Sequence, residues 1–202
     1  MIRYILITLA FGVVAGYLNN NFGNLVAGNF ISDYLFNFSL MLLLFVMGLT
    51  FGMDKEALAK LRKTGLKILT VPFAVALGSI LGGFVGGLIL GVNVFASMAV
   101  SAGYGWYTLA GPLVGQLFGA EFGALGFTVN FLRELLTITT ISLTVKIDKY
   151  APIAFGGATT MDTTLPIIVR YCGSEMLITA FASGFTLSLI APFTIATIAT
   201  LR

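Results

Sequence analysis

The chain of 202 residues is strongly apolar: 58% of its residues are hydrophobic, 9% are charged, and its mean hydropathy is +1.01. An average soluble domain carries about 25% charged residues, so this composition predicts an integral membrane protein. The formal net charge of +3 comes from basic residues in short connections, and this argues for membrane orientation rather than nucleic-acid binding. With no histidine, one cysteine (Cys172) and no nucleophile motif, the sequence indicates neither an enzyme nor a metal or cofactor site.

Five apolar stretches approach or exceed the length of about 17–25 residues that a helix needs to cross a bilayer. They are Tyr4–Leu18, Tyr34–Met53, Ile68–Leu90, Ala124–Val145 and Leu177–Leu201. The first could also be a signal peptide, but no small-residue cleavage site follows it, and we expect a mature helix. The sequence therefore predicts an all-α polytopic membrane protein with a single transport domain over residues 1–202. Residues 1–53 form its first helical hairpin, and residues 173–202 form its last helix.

The loop Asp54–Lys67 carries five basic residues against two acidic ones, which places it in the cytoplasm under the positive-inside rule. Between the long helices lie two interrupted segments, Val94–Phe118 and Ala151–Cys172, each with short apolar arms around a glycine-rich polar middle. If both segments are re-entrant, the charges fall on consistent sides. Arg3, the 55–67 cluster, Lys146, Lys149 and Arg170 then lie inside, and Asp33, Glu121 and Arg202 lie outside. If both segments cross, Lys146 and Lys149 move outside, which the rule disfavours.

A shift of 54 positions maps Gly103 onto Gly157, Pro112 onto Pro166, and the helix at 68–90 onto residues 122–144. The stretches 68–118 and 122–172 therefore read as two repeat units, and re-entrance from opposite sides gives them inverted topology. Inverted repeats whose discontinuous segments meet near the midplane are a recurring plan of secondary transporters.

Two carboxylates lie in stretches where a charge is costly. Asn130, Arg133, Glu134 and Thr137 share one face of the helix predicted over 124–145. Asp162 lies in the second interrupted segment. Ionisable residues at membrane depth usually face a bundle interior or an aqueous cavity, so the pair indicates a transport pathway. The alternative is a structural Arg133–Glu134 ion pair.

The two interrupted segments supply further candidate ligands. Thr159, Thr160, Thr163 and Thr164 flank Asp162 with hydroxyls suited to a cation. In the other segment, Tyr104, Trp106 and Tyr107 can present aromatic faces to an ammonium group. The alternative for these three residues is an aromatic belt at the outer interface.

Three motifs carry a family resemblance: Gly105-Trp-Tyr-Thr-Leu109, Asn130-Phe-Leu-Arg-Glu134, and above all Gly157-Ala-Thr-Thr-Met-Asp-Thr-Thr-Leu-Pro166. They resemble the lysine exporter family of bacteria and archaea, whose fold is grouped with the cation/proton antiporter type. The resemblance implies L-lysine export coupled to the proton gradient across the prokaryotic plasma membrane. It also implies that Glu134 and Asp162 are the intramembrane acidic pair.

The chain resembles the C-terminal two-thirds of the longer family members and lacks their additional N-terminal membrane segments. In some members these are encoded as a small companion protein. We therefore expect either such a companion subunit or a homodimer, which can bury polar faces by symmetry.

The resulting expectation is lysine/proton antiport without a cofactor. The substrate- and proton-binding candidates are Glu134, Asp162, Asn130, Arg133, Thr160, Thr163, Trp106 and Tyr107. Two alternatives remain open. A cation/proton antiporter would use the same carboxylates without needing the aromatic segment, and a non-transporting subunit of a two-component transporter would need no polar lining.

Overall fold

The computed structural model describes residues 69–202 continuously and, before them, residues 7, 11–12, 14–18, 34, 38–39, 41–42, 45–46, 49 and 53. The chain divides into two compact units, Met1–Lys55 and Glu56–Arg202. In the first unit, the described residues within Tyr4–Leu18 and Tyr34–Met53 are helical. The loop Asp54–Lys67, Arg3 and Asp33 lie outside the described residues.

The described part of the second unit is helical and contains no strand. Its α-helices are α1 (Thr70–Leu90), α2 (Val94–Ser101), α3 (Tyr107–Phe118), α4 (Ala120–Thr144), α5 (Ala151–Gly156), α6 (Leu165–Cys172) and α7 (Leu177–Thr200). Two 3-10 turns, Gly157–Met161 and Ser174–Met176, precede α6 and α7 respectively.

The long helices agree closely with the three predicted from residue 68 onward. Among the described residues, Thr70–Leu90 and Ser174–Thr200 are long and apolar enough to cross a membrane. Helix α4 has 25 residues, but its polar face makes it less apolar than either of these. It also begins at Ala120, four positions before the apolar run, because Gly119 with φ of 102° breaks the chain from α3. The five-span count therefore remains a prediction.

Both interrupted segments contain a break between short helices, as expected, but the first break is shorter than predicted. The polar stretch from Gly103 to Pro112 is not wholly irregular, because α3 already begins at Tyr107 and contains Pro112. The irregular backbone is confined to residues 102–106, where Tyr104 and Gly105 have φ of 53° and 103°. In the second segment, Gly157 has φ of 61° and Asp162 ends the 3-10 turn.

Glycines bring neighbouring helices into close contact. A Cβ atom at Gly83 of α1 would lie 2.6 Å from the Ser97 carbonyl oxygen of α2. A Cβ atom at Gly123 of α4 would lie 2.8 Å from the Cα of Gly115 in α3. These positions match the small-residue packing that membrane helices use to approach each other. Gly78, Gly82 and Gly86 of α1 have no such neighbour in the described structure.

Two hydrogen bonds join positions that are 54 residues apart, which is the shift of the predicted repeat. The Ala158 amide donates to the Tyr104 carbonyl oxygen at 2.7 Å. The Arg133 Nη1 donates to Ser79 Oγ at 3.0 Å. Equivalent positions of two repeat units meet where a pseudo-two-fold axis relates the units, so both contacts are of the kind that an inverted repeat produces. The repeat itself stays a prediction.

One exposed ion pair joins the loop between α4 and α5 to the loop between α6 and α7. Lys149 Nζ lies 2.5 Å from Glu175 Oε1, and both side chains are 59% exposed. The hydrogen bond to Glu175 raises the pKa of Lys149, and the hydrogen bond from Lys149 lowers the pKa of Glu175. Exposed pairs of this kind contribute little to stability because solvent screens them.

Candidate functional site

The two breaks are in direct contact with each other. The Ala158 amide of the second break donates to the Tyr104 carbonyl of the first. A Cβ atom on Gly157 would overlap that same carbonyl oxygen, so only glycine allows this approach at a positive φ. The backbone groups freed by each interruption are thus satisfied partly by the other, as irregular backbone at membrane depth requires.

Asn130 of α4 holds the first break. Its Oδ1 accepts a hydrogen bond from the Gly105 amide at 2.7 Å, and its Nδ2 donates to the carbonyl oxygens of Val100 at 2.9 Å and Gly126 at 2.8 Å. The side chain is 1% exposed. All three bonds go to backbone groups, and they occupy both N–H donors and one of the two lone pairs of the oxygen.

Arg133 lies one turn further along α4 and holds the second interrupted segment. Its Nε donates to the Phe155 carbonyl at 2.7 Å, and its Nη2 donates to the Ala154 carbonyl at 2.8 Å. These carbonyls belong to the last turn of α5, where carbonyl oxygens lack N–H donors from within the helix. The remaining Nη1 bonds to Ser79 of α1.

The structure does not contain the Arg133–Glu134 ion pair that we considered as the alternative. Within the described residues, the only side-chain ion pair closer than 4 Å is that between Lys149 and Glu175. Adjacent residues on a helix point in different directions, and Arg133 points toward α5 and α1. The two charges therefore have separate surroundings.

Glu134 has a buried carboxylate oxygen without a partner. Its Oε2 makes no hydrogen bond to any described residue, although the residue as a whole is part-buried. The Tyr107 hydroxyl at the start of α3 interacts with the Glu134 carboxylate and, through charge, with Asp162. The Tyr107 hydroxyl is thus near enough to both carboxylates for an electrostatic interaction.

Two phenylalanines of α4 fix the ring of Tyr107. The Tyr107 ring packs edge-on against Phe127 and Phe131, with centroid distances of 5.4 and 5.6 Å. The sequence analysis did not single out these two phenylalanines. Their i, i+4 spacing beside the polar face of α4 nevertheless places both rings on one side of the helix. Trp106, at the N-terminus of α3, is part-buried beside Tyr107 in sequence. Tyr104 is fully buried, so its ring is not available to a ligand.

Asp162 lies between the 3-10 turn and α6 and is exposed. Its Oδ1 accepts a hydrogen bond from the Thr163 amide at 2.6 Å. This contact leaves the second carboxylate oxygen without a hydrogen bond among the described residues. Asp162 is therefore the more accessible of the two acids.

The four threonines around Asp162 do not share one role. The Thr160 hydroxyl lies 2.8 Å from the Gly157 carbonyl and 2.7 Å from the Ala180 carbonyl, and Thr160 is fully buried. Thr159 and Thr164 are also buried, and their hydroxyls lie 3.2 Å apart. Thr163 alone is exposed, beside Asp162. The structure therefore directs three of these hydroxyls into the fold and one toward the surface.

An open groove of about 700 Å³ runs beside the site, between α1, α4 and α5. Its lining is mostly apolar and includes Ser79 and Arg133. Sequence reasoning missed Ser79, although a single serine within an apolar helix is a signal for a polar contact. No group of three or more acidic, histidine or cysteine residues that could hold a metal ion occurs in the described part of the chain.

Comparison with known proteins identifies a family that the chain matches. The family model "Lysine exporter LysO" matches residues 6–199. The lysine exporter LysO of Escherichia coli (strain K12) is 33% identical over 162 residues, which cover 79% of this chain and 53% of that protein. A Haemophilus influenzae protein named "Putative lysine exporter" is 27% identical over 183 residues, which cover 90% of this chain and 89% of that protein. No solved structure matches the chain.

The chain spans about half the length of the E. coli relative, whereas it covers most of the Haemophilus protein. The family match extends over nearly all of the sequence, including the three motifs and both interrupted segments. The all-helical architecture and the long apolar helices α1 and α7 agree with a membrane transporter. The chain therefore belongs to the lysine exporter LysO family.

Proposed function

We propose that this chain exports L-lysine in exchange for protons, at a site where the two interrupted segments cross. The observation that carries the proposal is the buried Glu134 Oε2, which has no hydrogen-bond partner among the described residues, on a carboxylate that interacts electrostatically with the Tyr107 hydroxyl. The family indicates the substrate, since its name and the names of both relatives refer to lysine export.

A buried acceptor without a partner costs about 1–3 kcal/mol, and more when it is charged. Either a proton or an ammonium N–H removes this cost at Glu134. Because both compete for the same oxygen, occupation by one excludes the other. This competition is the elementary requirement for exchanging lysine against protons.

Asp162 is the second acid of the proposed pathway. It is exposed, and one of its oxygens has no hydrogen bond among the described residues, so it can receive a cation that enters or leaves. Thr163 offers an exposed hydroxyl next to Asp162, while the buried Thr160 hydroxyl donates to the Gly157 carbonyl within the 3-10 turn. The α-ammonium and ε-ammonium groups of lysine can thus be bound by two carboxylates.

Trp106 and Tyr107 form the proposed aromatic side of the site. Ammonium groups bind over aromatic faces with about 0.5–2 kcal/mol, depending on how much water is removed. A lysine held between these rings and the acids is distinguished from an inorganic cation, which gains less from a π face. The aromatic segment therefore favours amino-acid export over a simple cation/proton antiporter.

The proposed setting is the prokaryotic plasma membrane, with five spanning helices, two re-entrant segments and an antiporter-like inverted repeat. Large apolar side chains of α1, among them Phe73, Leu77 and Leu81, are exposed and suit contact with lipid or another membrane segment. We further propose that transport takes place in an assembly, either with a small membrane companion or with a second copy of the chain.

Proteoliposomes test the proposal. We expect vesicles that contain the chain, alone or together with its companion, to release preloaded labelled lysine when the outside is made more acidic than the inside. Efflux that ignores the gradient would refute proton coupling. Cation flux without lysine flux would favour the cation/proton antiporter. Unchanged activity of a complex carrying Glu134→Gln and Asp162→Asn in this chain would favour the non-transporting subunit.

A further inference from the structure

We propose that Asn130 and Arg133 are positioning residues that hold the two breaks against each other, rather than ligands of the substrate. The proposal rests on the proposed function only in treating the crossing of the breaks as the transport site. It starts from the contacts of the two side chains, which come from adjacent turns on one face of α4.

Asn130 has almost no hydrogen-bonding capacity to offer a ligand. An asparagine amide carries two N–H donors, and both are bonded to the backbone carbonyls of Val100 and Gly126. Its oxygen accepts from Gly105, which leaves one lone pair, and the side chain is almost fully buried. A substrate would have to break one of these bonds before it could accept from the amide.

Arg133 is engaged at each of its three nitrogens. Two of them bond to carbonyls in the last turn of α5, where a cation also complements the partial negative charge of the helix end. The third reaches Ser79 on α1. The guanidinium therefore connects α1, α4 and α5, and its charge is directed to the helix end instead of to Glu134.

The two anchors are mechanically linked. Residues at i and i+3 on a helix lie about 5–6 Å apart, so any displacement of α4 moves both anchors together. The breaks themselves are joined by the bond from the Ala158 amide to the Tyr104 carbonyl. Loosening either anchor should therefore loosen both breaks, and it should displace Glu134, which follows Arg133 on α4, relative to Tyr107.

Hydrogen exchange measures this link without any transport. We expect Arg133→Gln and Asn130→Ala each to accelerate amide exchange at least about 10-fold in both 102–106 and 156–160, with α7 unchanged, because each change removes hydrogen bonds that hold one of the breaks. Arg170→Gln, at an exposed arginine of α6, is the matched control and should leave both segments unchanged. If Arg133→Gln proves unstable, Arg133→Lys should give a smaller acceleration in the same two segments.

Exchange that is unchanged in both segments, or that accelerates in one segment only, would overturn the proposal. Transport kinetics give a second test. A positioning role predicts that Arg133→Gln lowers the maximal export rate at least about 10-fold, with KM for lysine within about 3-fold of the unaltered value. A rise in KM of more than about 10-fold at an unchanged maximal rate would instead make Arg133 a substrate ligand. If the unaltered chain exports no lysine, the proposed function fails, while the exchange experiment still decides the positioning role.

Discussion

At the residue scale, the neighbouring residues Arg133 and Glu134 of α4 differ in their hydrogen-bond partners. Arg133 donates hydrogen bonds to backbone carbonyls and to Ser79, whereas Glu134 has a buried oxygen that makes no hydrogen bond to any described residue. Removing one member of a buried ion pair typically costs about 3–5 kcal/mol because the other charge is stranded. That penalty does not apply here, since the two side chains are not paired.

We therefore expect Glu134→Gln to abolish proton-coupled export without lowering stability. The amide keeps the size of the side chain but cannot exchange a proton, and export should fall at least about 10-fold through loss of a charge-assisted hydrogen bond. Thermal unfolding in detergent and lysine efflux from vesicles measure the two effects. A loss of several kcal/mol of stability that Arg133→Gln restores would show that the two charges are paired after all.

Asp162→Asn should likewise leave the fold intact, because the Asn side-chain oxygen can still accept from the Thr163 amide and the site is exposed. Export should be lost if Asp162 receives the cation. The measurement is lysine efflux over a range of imposed pH gradients. Near-normal export with an unchanged pH dependence would exclude Asp162 from the exchange.

Tyr107→Phe tests what the Tyr107 hydroxyl contributes to the proposed site. The ring should keep its edge-on packing against Phe127 and Phe131, while the interaction with Glu134 disappears. Neutral hydrogen bonds contribute about 0.5–1.5 kcal/mol, so we expect export to fall about 2–13-fold and its pH dependence to shift. Tyr150→Phe, at an exposed tyrosine, is the control. Equal effects of the two substitutions would remove Tyr107 from the site.

At the scale of elements, the close contact of the two breaks makes a direct prediction. Gly157→Ala should destabilise the protein much more than Gly91→Ala, although both glycines have a positive φ near 60°. The added methyl group overlaps the Tyr104 carbonyl at Gly157, whereas it meets nothing within 4 Å at Gly91. Left-handed backbone costs an alanine at Gly91 about 1–2 kcal/mol. Gly157 has ψ of −126° instead of 25°, so the excess at Gly157 combines a less favourable backbone conformation with the contact to Tyr104. Equal unfolding temperatures for the two variants would mean that the breaks do not touch.

At the scale of the whole molecule, the open question is whether the α2–α3 segment enters and leaves the membrane on one side. If it is re-entrant, Val92→Cys and Ala120→Cys should both be labelled from the same face by an impermeant reagent. The background is Cys172→Ala, which removes the single native cysteine. Both positions are exposed. Labelling from opposite faces would show that the segment crosses, and it would also remove the basis for the inverted repeat.

The sequence by itself determined the class of protein, the long helices from residue 68 onward, the two interruptions and the family motifs. These features depend on local properties: apolar length, glycine and proline positions, and the 3.6-residue period that placed Asn130, Arg133, Glu134 and Thr137 on one face of α4. Which partner each polar group takes is a long-range property. Only the tertiary structure brought Gly157 against Tyr104, turned Arg133 toward α5 and Ser79, and directed Thr160 into the core. The pattern of residues fixes which faces are polar, but the packing of distant segments decides which polar atoms are satisfied and which, like Glu134 Oε2, have no hydrogen bond to any described residue.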